Sequence, residues 1–345
     1  MRGGKERMKI HTIIQNYSKS EDITMKQTSD STKLCMKRNN EKGSMTFYSI
    51  FPGITLAYIS IQASSWSIPA MPQETSPNQT ILLNYCMEGR CELLLCNHSY
   101  VYQKKGELSV SEHNAQNQYT YPNKRYEGLE FFLELDEIEK NASYLNAAFQ
   151  IDFQAIRNRY CQDRKTYVSA CSSQAKEVLM KLWGFYYDTS DHGAFSRKLY
   201  SLALFETLYS QPKTPKANTT AFYTASQVSI AKRTEQMITQ NLHHHYPVHE
   251  LAKLFSVSET SLKNYFRGIY GQNISVYLRE LRMNTAANLL ADTSLSVSVI
   301  AAQVGYQNQS KFSAVFKRHF LVSPLEYRRK SALEKMQKDN PAGKL

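Results

Sequence analysis

No apolar run in this 345-residue sequence approaches the roughly 18 residues that mark a bilayer span. No apolar signal core follows the N-terminus either, because Lys and Arg keep interrupting it. The expectation is a soluble, cytoplasmic chain. Its six Cys are too few for a small-domain disulfide framework. Cys86, Cys91 and Cys96 recur every five residues, but no C-x2-C pair accompanies them, so zinc is not expected and free thiols are. His98 and His113 have no H-x-H partner, and the chain shows neither a phosphate-binding loop nor a nucleophile–base pair at a recognisable spacing. No catalytic residue, metal or cofactor is therefore expected, and the chain reads as a non-enzyme.

What is present is charge, unevenly placed. The formal net charge is +12. From Ala231 to Leu345 there are 16 Lys and Arg against 8 Asp and Glu, a net +8. From Met45 to Ile230 the balance is −1, and from Met1 to Ser44 it is +5. A basic excess confined to one region supplies a sequence-independent attraction to phosphate.

The chain divides by pattern. Residues 1–44 are polar and basic without a sustained period, and are read as a disordered tail, with Met25, Met36 or Met45 as alternative starts. Residues 45–136 hold short runs such as ITLAYISI, TILLNYC and LEFFLEL, separated by turn-like pieces, which predicts a small sandwich or barrel. Helical periods run through 137–211, as in Val178, Leu179, Leu182, Trp183 and Tyr186. A Pro-bearing linker at 212–223 leads to an all-helical region, 224–330, and a basic tail, 331–345. The fold class is α+β.

Within that helical region the sequence echoes itself. With a shift of 50, Leu262, Tyr265 and Phe266 of the first copy (Leu251–Leu278) fall on Phe312, Val315 and Phe316 of the second (Ile300–Arg328), and Tyr277 falls on Tyr327. Each copy reads as helix, tight turn and second helix, the helix-turn-helix pattern. In the first, Leu251, Leu254 and Phe255 are expected to face inward, Ser258 to cap the second helix, and Leu262, Tyr265, Phe266 and Ile269 to form its buried stripe. The opposite stripe, Thr260, Lys263, Asn264 and Arg267, offers base-edge donors and acceptors and a phosphate clamp. In the second copy Val299, Ile300 and Val304 should pack, Gly305 should permit the turn, and Phe312, Val315, Phe316 and Phe320 should be covered. That leaves Gln309, Ser310, Ser313, Ala314 and Lys317 outside. Ile274 to Ala291 reads as one connecting helix, fit to hold the two readers roughly one DNA turn, about 34 Å, apart. A polar stripe on one surface helix is ordinarily just solvated; two matching stripes on a basic region are not.

The segment AAQVGYQNQSKFSAVFKRHFLVSPLEYRR, Ala301–Arg329, resembles the C-terminal signature of the AraC/XylS transcription regulators, and the likeness spans about 228–329. The resemblance implies a seven-helix domain with two helix-turn-helix units. It also implies base contacts from Thr260, Lys263, Asn264, Gln309, Ser310 and Ser313, and phosphate contacts from Ser258, Arg267, Lys311 and Lys317. Two positions depart from the pattern: Ala314 stands where the family often has Arg, and Leu321 where it usually has Gly. The resemblance further implies a cupin-like N-terminal barrel that binds a small-molecule effector or dimerises. No effector-binding residue is assigned, and the barrel's aromatics (Trp66, Tyr85, Tyr100, Tyr102, Tyr119, Tyr121, Tyr126, Phe131) are read mainly as packing. His243, His244, His245 and His249 are read as an exposed polar run. The expected protein is a bacterial activator working as a homodimer, with double-stranded DNA, RNA polymerase and an effector as partners. The alternatives are an effector-independent regulator whose N-terminal half only dimerises, and a cupin enzyme fused to a DNA-targeting module.

Overall fold

The computed structural model describes residues 10–17, 20–38, 41–66, 80–95, 97–112, 119–161, 166–210 and 221–339. The chain forms two compact units, Met1–Ala225 and Ser226–Leu345.

The first unit is built on one antiparallel sheet. A short helix α1 (Ile10–Tyr17) precedes β1 (Ile23–Gln27), β2 (Ser31–Arg38), β3 (Glu41–Phe51), β4 (Ile54–Gln62), β5 (Thr80–Leu94), β6 (Tyr100–Lys104), β7 (Glu107–Glu112) and β8 (Tyr126–Glu134). Helices α2 (Leu135–Asn141), α3 (Tyr144–Phe149) and α4 (Phe153–Tyr160) follow, then β9 (Tyr167–Ala170), α5 (Ser173–Gly184) and α6 (Asp191–Ser210). The strand order is β1-β2-β3-β4-β8-β5-β7-β9, with β6 paired to the far half of β5. No described pairing joins β1 to β9, so the expected barrel is an open sheet. At one edge the β1–β2 hairpin pairs onto β3, and at the other β9 pairs onto β7.

Both faces of the sheet are covered, which is why its central strands read as nearly unbroken apolar runs. In β4, Leu56 and Tyr58 face the helices, while Ala57, Ile59 and Ile61 face a second core with Phe47, Phe132, Trp66 and Tyr126. On the helical side Phe131 and Phe153 each meet Phe205 edge-on at 5.3 Å, and the Tyr58 hydroxyl donates to the Leu182 carbonyl at 2.7 Å.

Several boundary expectations change. Residues 1–44 are not a disordered tail over their described part: β2 pairs with β3 along its whole length, and Ile23, Leu34 and Met36 are buried in the second core. Their apolar residues are too sparse among Lys, Thr and Ser to show as a strand by themselves. The helical stretch 137–211 contains the edge strand β9. Most of the 212–223 linker lies outside the described residues, as do Cys96 and His113. At its end Tyr223 exchanges both backbone hydrogen bonds with Tyr100, each 2.8 Å. Of the aromatics read as packing, all but Tyr100 are buried.

The second unit comprises α7 (Ala225–Gln240), α8 (Val248–Leu254), α9 (Glu259–Tyr270), α10 (Ile274–Asp292), α11 (Val297–Gln303), α12 (Gln309–Phe320) and α13 (Pro324–Asp339). These are the seven helices that the resemblance implies. The connecting helix expected at 274–291 is α10. The expected tail from 331 is instead the continuation of α13, anchored where the Lys335 ammonium donates to the Ala291 carbonyl at 2.8 Å. Among the described residues of the chain no helix is long and apolar enough to cross a membrane.

Candidate nucleic-acid interface

The sequence echo is repeated bond for bond. After α8 the chain turns through Ser256 at φ +54°, and the Val257 N–H reaches back to the Ala252 carbonyl at 3.0 Å. After α11 it turns through Gly305 at φ +83°, and the Tyr306 N–H reaches the Ala301 carbonyl at 2.8 Å. These six-residue closures end both first helices in the same way. Both second helices are capped by a polar side chain: Ser258 Oγ accepts from the Ser261 N–H at 3.1 Å, and Asn308 Oδ1 from the Lys311 N–H at 2.9 Å. The serine cap is the one expected from the sequence. The Asn308 cap is not among the sequence expectations, although Asn just before a polar-apolar helical run is itself a capping signal.

Packing repeats as well. Tyr277 meets Phe266 edge-on at 5.4 Å, and Tyr327 meets Phe316 edge-on at 5.5 Å. Leu262, Phe266 and Ile269 are buried in α9, Phe312 and Phe316 in α12, while Tyr265, Val315 and Phe320 are half-buried. Two expected core residues point outward: Leu254 is 57% exposed and Val299 is 42% exposed. Each short first helix covers only about one face, so Leu251 with Ala252, and Ile300 with Ala301 and Val304, suffice to fill it.

The polar stripes are free of the core. Ser258, Thr260, Lys263, Asn264 and Arg267 are exposed on or just before α9. Gln309, Ser310, Lys311 and Lys317 are exposed on α12, with Ser313 half-buried. The two faces differ in charge. On α9, Lys263 is held by Glu259 at 2.9 Å, an exposed i,i+4 pair that offsets its charge toward an incoming phosphate. On α12 the first turn carries no acid, and Lys317, Arg318 and His319 crowd the last turn. Ala314 is exposed on that helix. Leu321 takes the left-handed C-cap at φ +64° that Gly271 takes at φ +82° after α9, so the departure from Gly leaves the motif in place.

His243, His244, His245 and His249 are all exposed. Among the described residues no three or more His, Cys, Asp and Glu side chains come together as a metal site.

A sequence profile described as a helix-turn-helix domain matches residues 251–330. The chain is 34% identical over 100 residues to a lactose operon transcription activator of Staphylococcus xylosus, covering 29% of this chain and 36% of that protein. It is 32% identical over 114 residues to the HTH-type transcriptional activator RhaR of Yersinia pestis bv. Antiqua (strain Angola), covering 31% of this chain and 39% of that one. The match thus spans somewhat over a third of these relatives' own lengths. Among solved structures, the C-terminal domain of AraT, a response regulator from Geobacillus stearothermophilus, is 33% identical, covering 29% of this chain and 84% of that one at a TM-score of 0.28. The C-terminal domain of this chain is a helix-turn-helix domain of the AraC/XylS family.

Proposed function

We propose that the protein is a sequence-specific DNA-binding transcriptional regulator, an activator that acts as a homodimer and answers to a small-molecule effector. The observation that carries the DNA-binding part is the paired exposure of two matching polar helix faces on a unit of net charge +8 from residue 231 onward. The helix pairs α8–α9 and α11–α12 act as two readers. Thr260, Lys263 and Asn264, and Gln309, Ser310 and Ser313, address base edges, while Ser258, Arg267, Lys311 and Lys317 address phosphates. Activation in the relatives named above supports the sign of control, with RNA polymerase as the protein partner on the promoter. A footprint on the DNA upstream of the protein's own gene tests the reading. Changing Lys263 and Asn264 to Ala should weaken a protected site by about 1–3 kcal/mol for each base-edge interaction removed. Operator affinity that ignores both changes would refute the assignment.

The effector would enter the first unit. A cleft of about 380 Å³ opens at one end of the second core, between α1, the β1–β2 turn and the sheet. Its lining combines apolar Ile14, Phe47 and Phe51 with polar Ser49, Thr55 and Glu134. That mix and size suit a small amphiphilic molecule. Thermal-shift screening of the full chain against metabolite pools tests it, with Ser49→Trp filling the cleft as the control.

A further inference from the structure

The two helix pairs do not pack extensively on each other; each has its own core against α10. Met283, Ala286, Ala287 and Leu290 hold the second pair through Ile300, Phe312 and Phe316. Tyr277 holds the first, among Phe266 and Tyr270, with its hydroxyl donating to Glu235 Oε1 at 2.9 Å. Between these two cores sits one polar junction. Arg282, half-buried on α10, donates from Nε to the Leu242 carbonyl at 2.9 Å and from Nη2 to the His244 carbonyl at 3.0 Å. Both carbonyls lie in the loop that leads into the first pair. The same guanidinium stands over the Tyr306 ring, 5.9 Å from its centre, in the turn of the second pair. Gly305 completes the closure: a Cβ there would fall 2.6 Å from the Leu242 carbonyl oxygen and 2.7 Å from Arg282 Nη2.

We propose that Arg282 is a positioning residue for DNA recognition: by clasping the α7–α8 loop to the α11–α12 turn, it fixes the angle between the two reading helices so that both can engage one duplex at once. Two charge-assisted bonds from one planar fork set an orientation that a flexible point charge does not. The stakes are geometric, since the second half of a linked pair binds only where the geometry permits both together. This inference rests on the DNA-binding reading above.

The test begins with duplexes that the full wild-type chain enriches from a random 30-bp library. Failure to enrich any would sink the DNA-binding reading itself. From the enriched site, three probes are made: the intact two-part site, a single half-site, and the two-part site with about half a helical turn, roughly 5 bp, inserted between the halves. Arg282→Lys is expected to lose at least about tenfold on the intact site, change less than about twofold on the half-site, and tolerate the insertion that wild type does not. Its salt dependence on the half-site should be unchanged. Gly305→Ala, which crowds the junction from the opposite side and also strains the turn at φ +83°, should give the same split on top of a lower melting temperature. Equal loss on both probes, a half-site salt slope reduced by about 1, as when one phosphate is no longer neutralised, or unchanged affinity would each overturn the proposal. So would loss of the cooperative melt in both variants, which assigns the junction to fold stability alone.

Discussion

Leu321 occupies a left-handed C-cap with its side chain 84% exposed, so the backbone strain of a β-carbon there is not offset by packing. Leu321→Gly should therefore stabilise the second unit by about 0.5–1 kcal/mol, read as a higher denaturation midpoint. Glu130 presents a different residue-scale case. It is buried in β8, where Asn84 Nδ2 donates to its Oε1 at 3.1 Å, and burial pushes its pKa up to about 8. An acid raised in the folded state keeps its proton where the unfolded chain releases it. Between about pH 4.5 and 8 its contribution to stability falls as pH rises, by up to about 1.4 kcal/mol per pH unit, and levels off above that window. Glu130→Gln, which is nearly isosteric and cannot ionise, should flatten that slope in denaturation curves recorded across the window, with wild type and variant converging at its acidic end.

At the scale of the element, α9 and α12 share a cap, a buried stripe and an edge-on tyrosine, yet differ in the charge they present. Freeing Lys263 from its Glu259 partner removes an acid from the reading face at little cost, since an exposed pair of this kind contributes under about 1 kcal/mol to stability. Glu259→Gln should raise DNA affinity at low salt with the melting temperature nearly unchanged. On α12, Ala314→Arg should tighten binding and steepen the dependence of log affinity on log salt by about 1, because one more phosphate neutralised releases about one more counterion. An unchanged slope would show that this face of α12 does not approach the backbone of DNA.

Across the whole molecule, the first unit leaves part of α6 uncovered. Phe195 is 63% exposed and Leu199, one turn further on, 49%. An antiparallel partner copy centred on Leu199 would set Phe195 against Ala203 and His192 against Glu206, a bulky-to-small and basic-to-acidic match that favours a second copy of this chain as the occupant. Leu199→Asp should convert a dimer to monomer in sedimentation equilibrium without loss of the cooperative melt. A wild-type chain that stays monomeric would remove the dimer from the proposed function.

The duplicated units were legible in the sequence because a helical period, a capping serine, a turn glycine and a basic excess are all local signals, and each copy carries its own helical periods. The stripes Thr260–Lys263–Asn264–Arg267 and Gln309–Ser310–Ser313–Lys317 could be read for the same reason: a helix places residues three and four apart on one face wherever it sits. Tertiary structure decided what depends on distant partners. Leu34 and Met36 belong to a core only because β2 lies along β3, and four residues at Tyr167–Ala170 are a strand only because β7 offers an open edge. Leu254 and Val299 carry apolar side chains that nevertheless stay exposed at the surface of their short helices. Arg282 reads in the sequence as an ordinary charge on a connecting helix. Its role rests on carbonyls 38 and 40 residues away, and hydrogen bonds of that reach leave no period in a sequence.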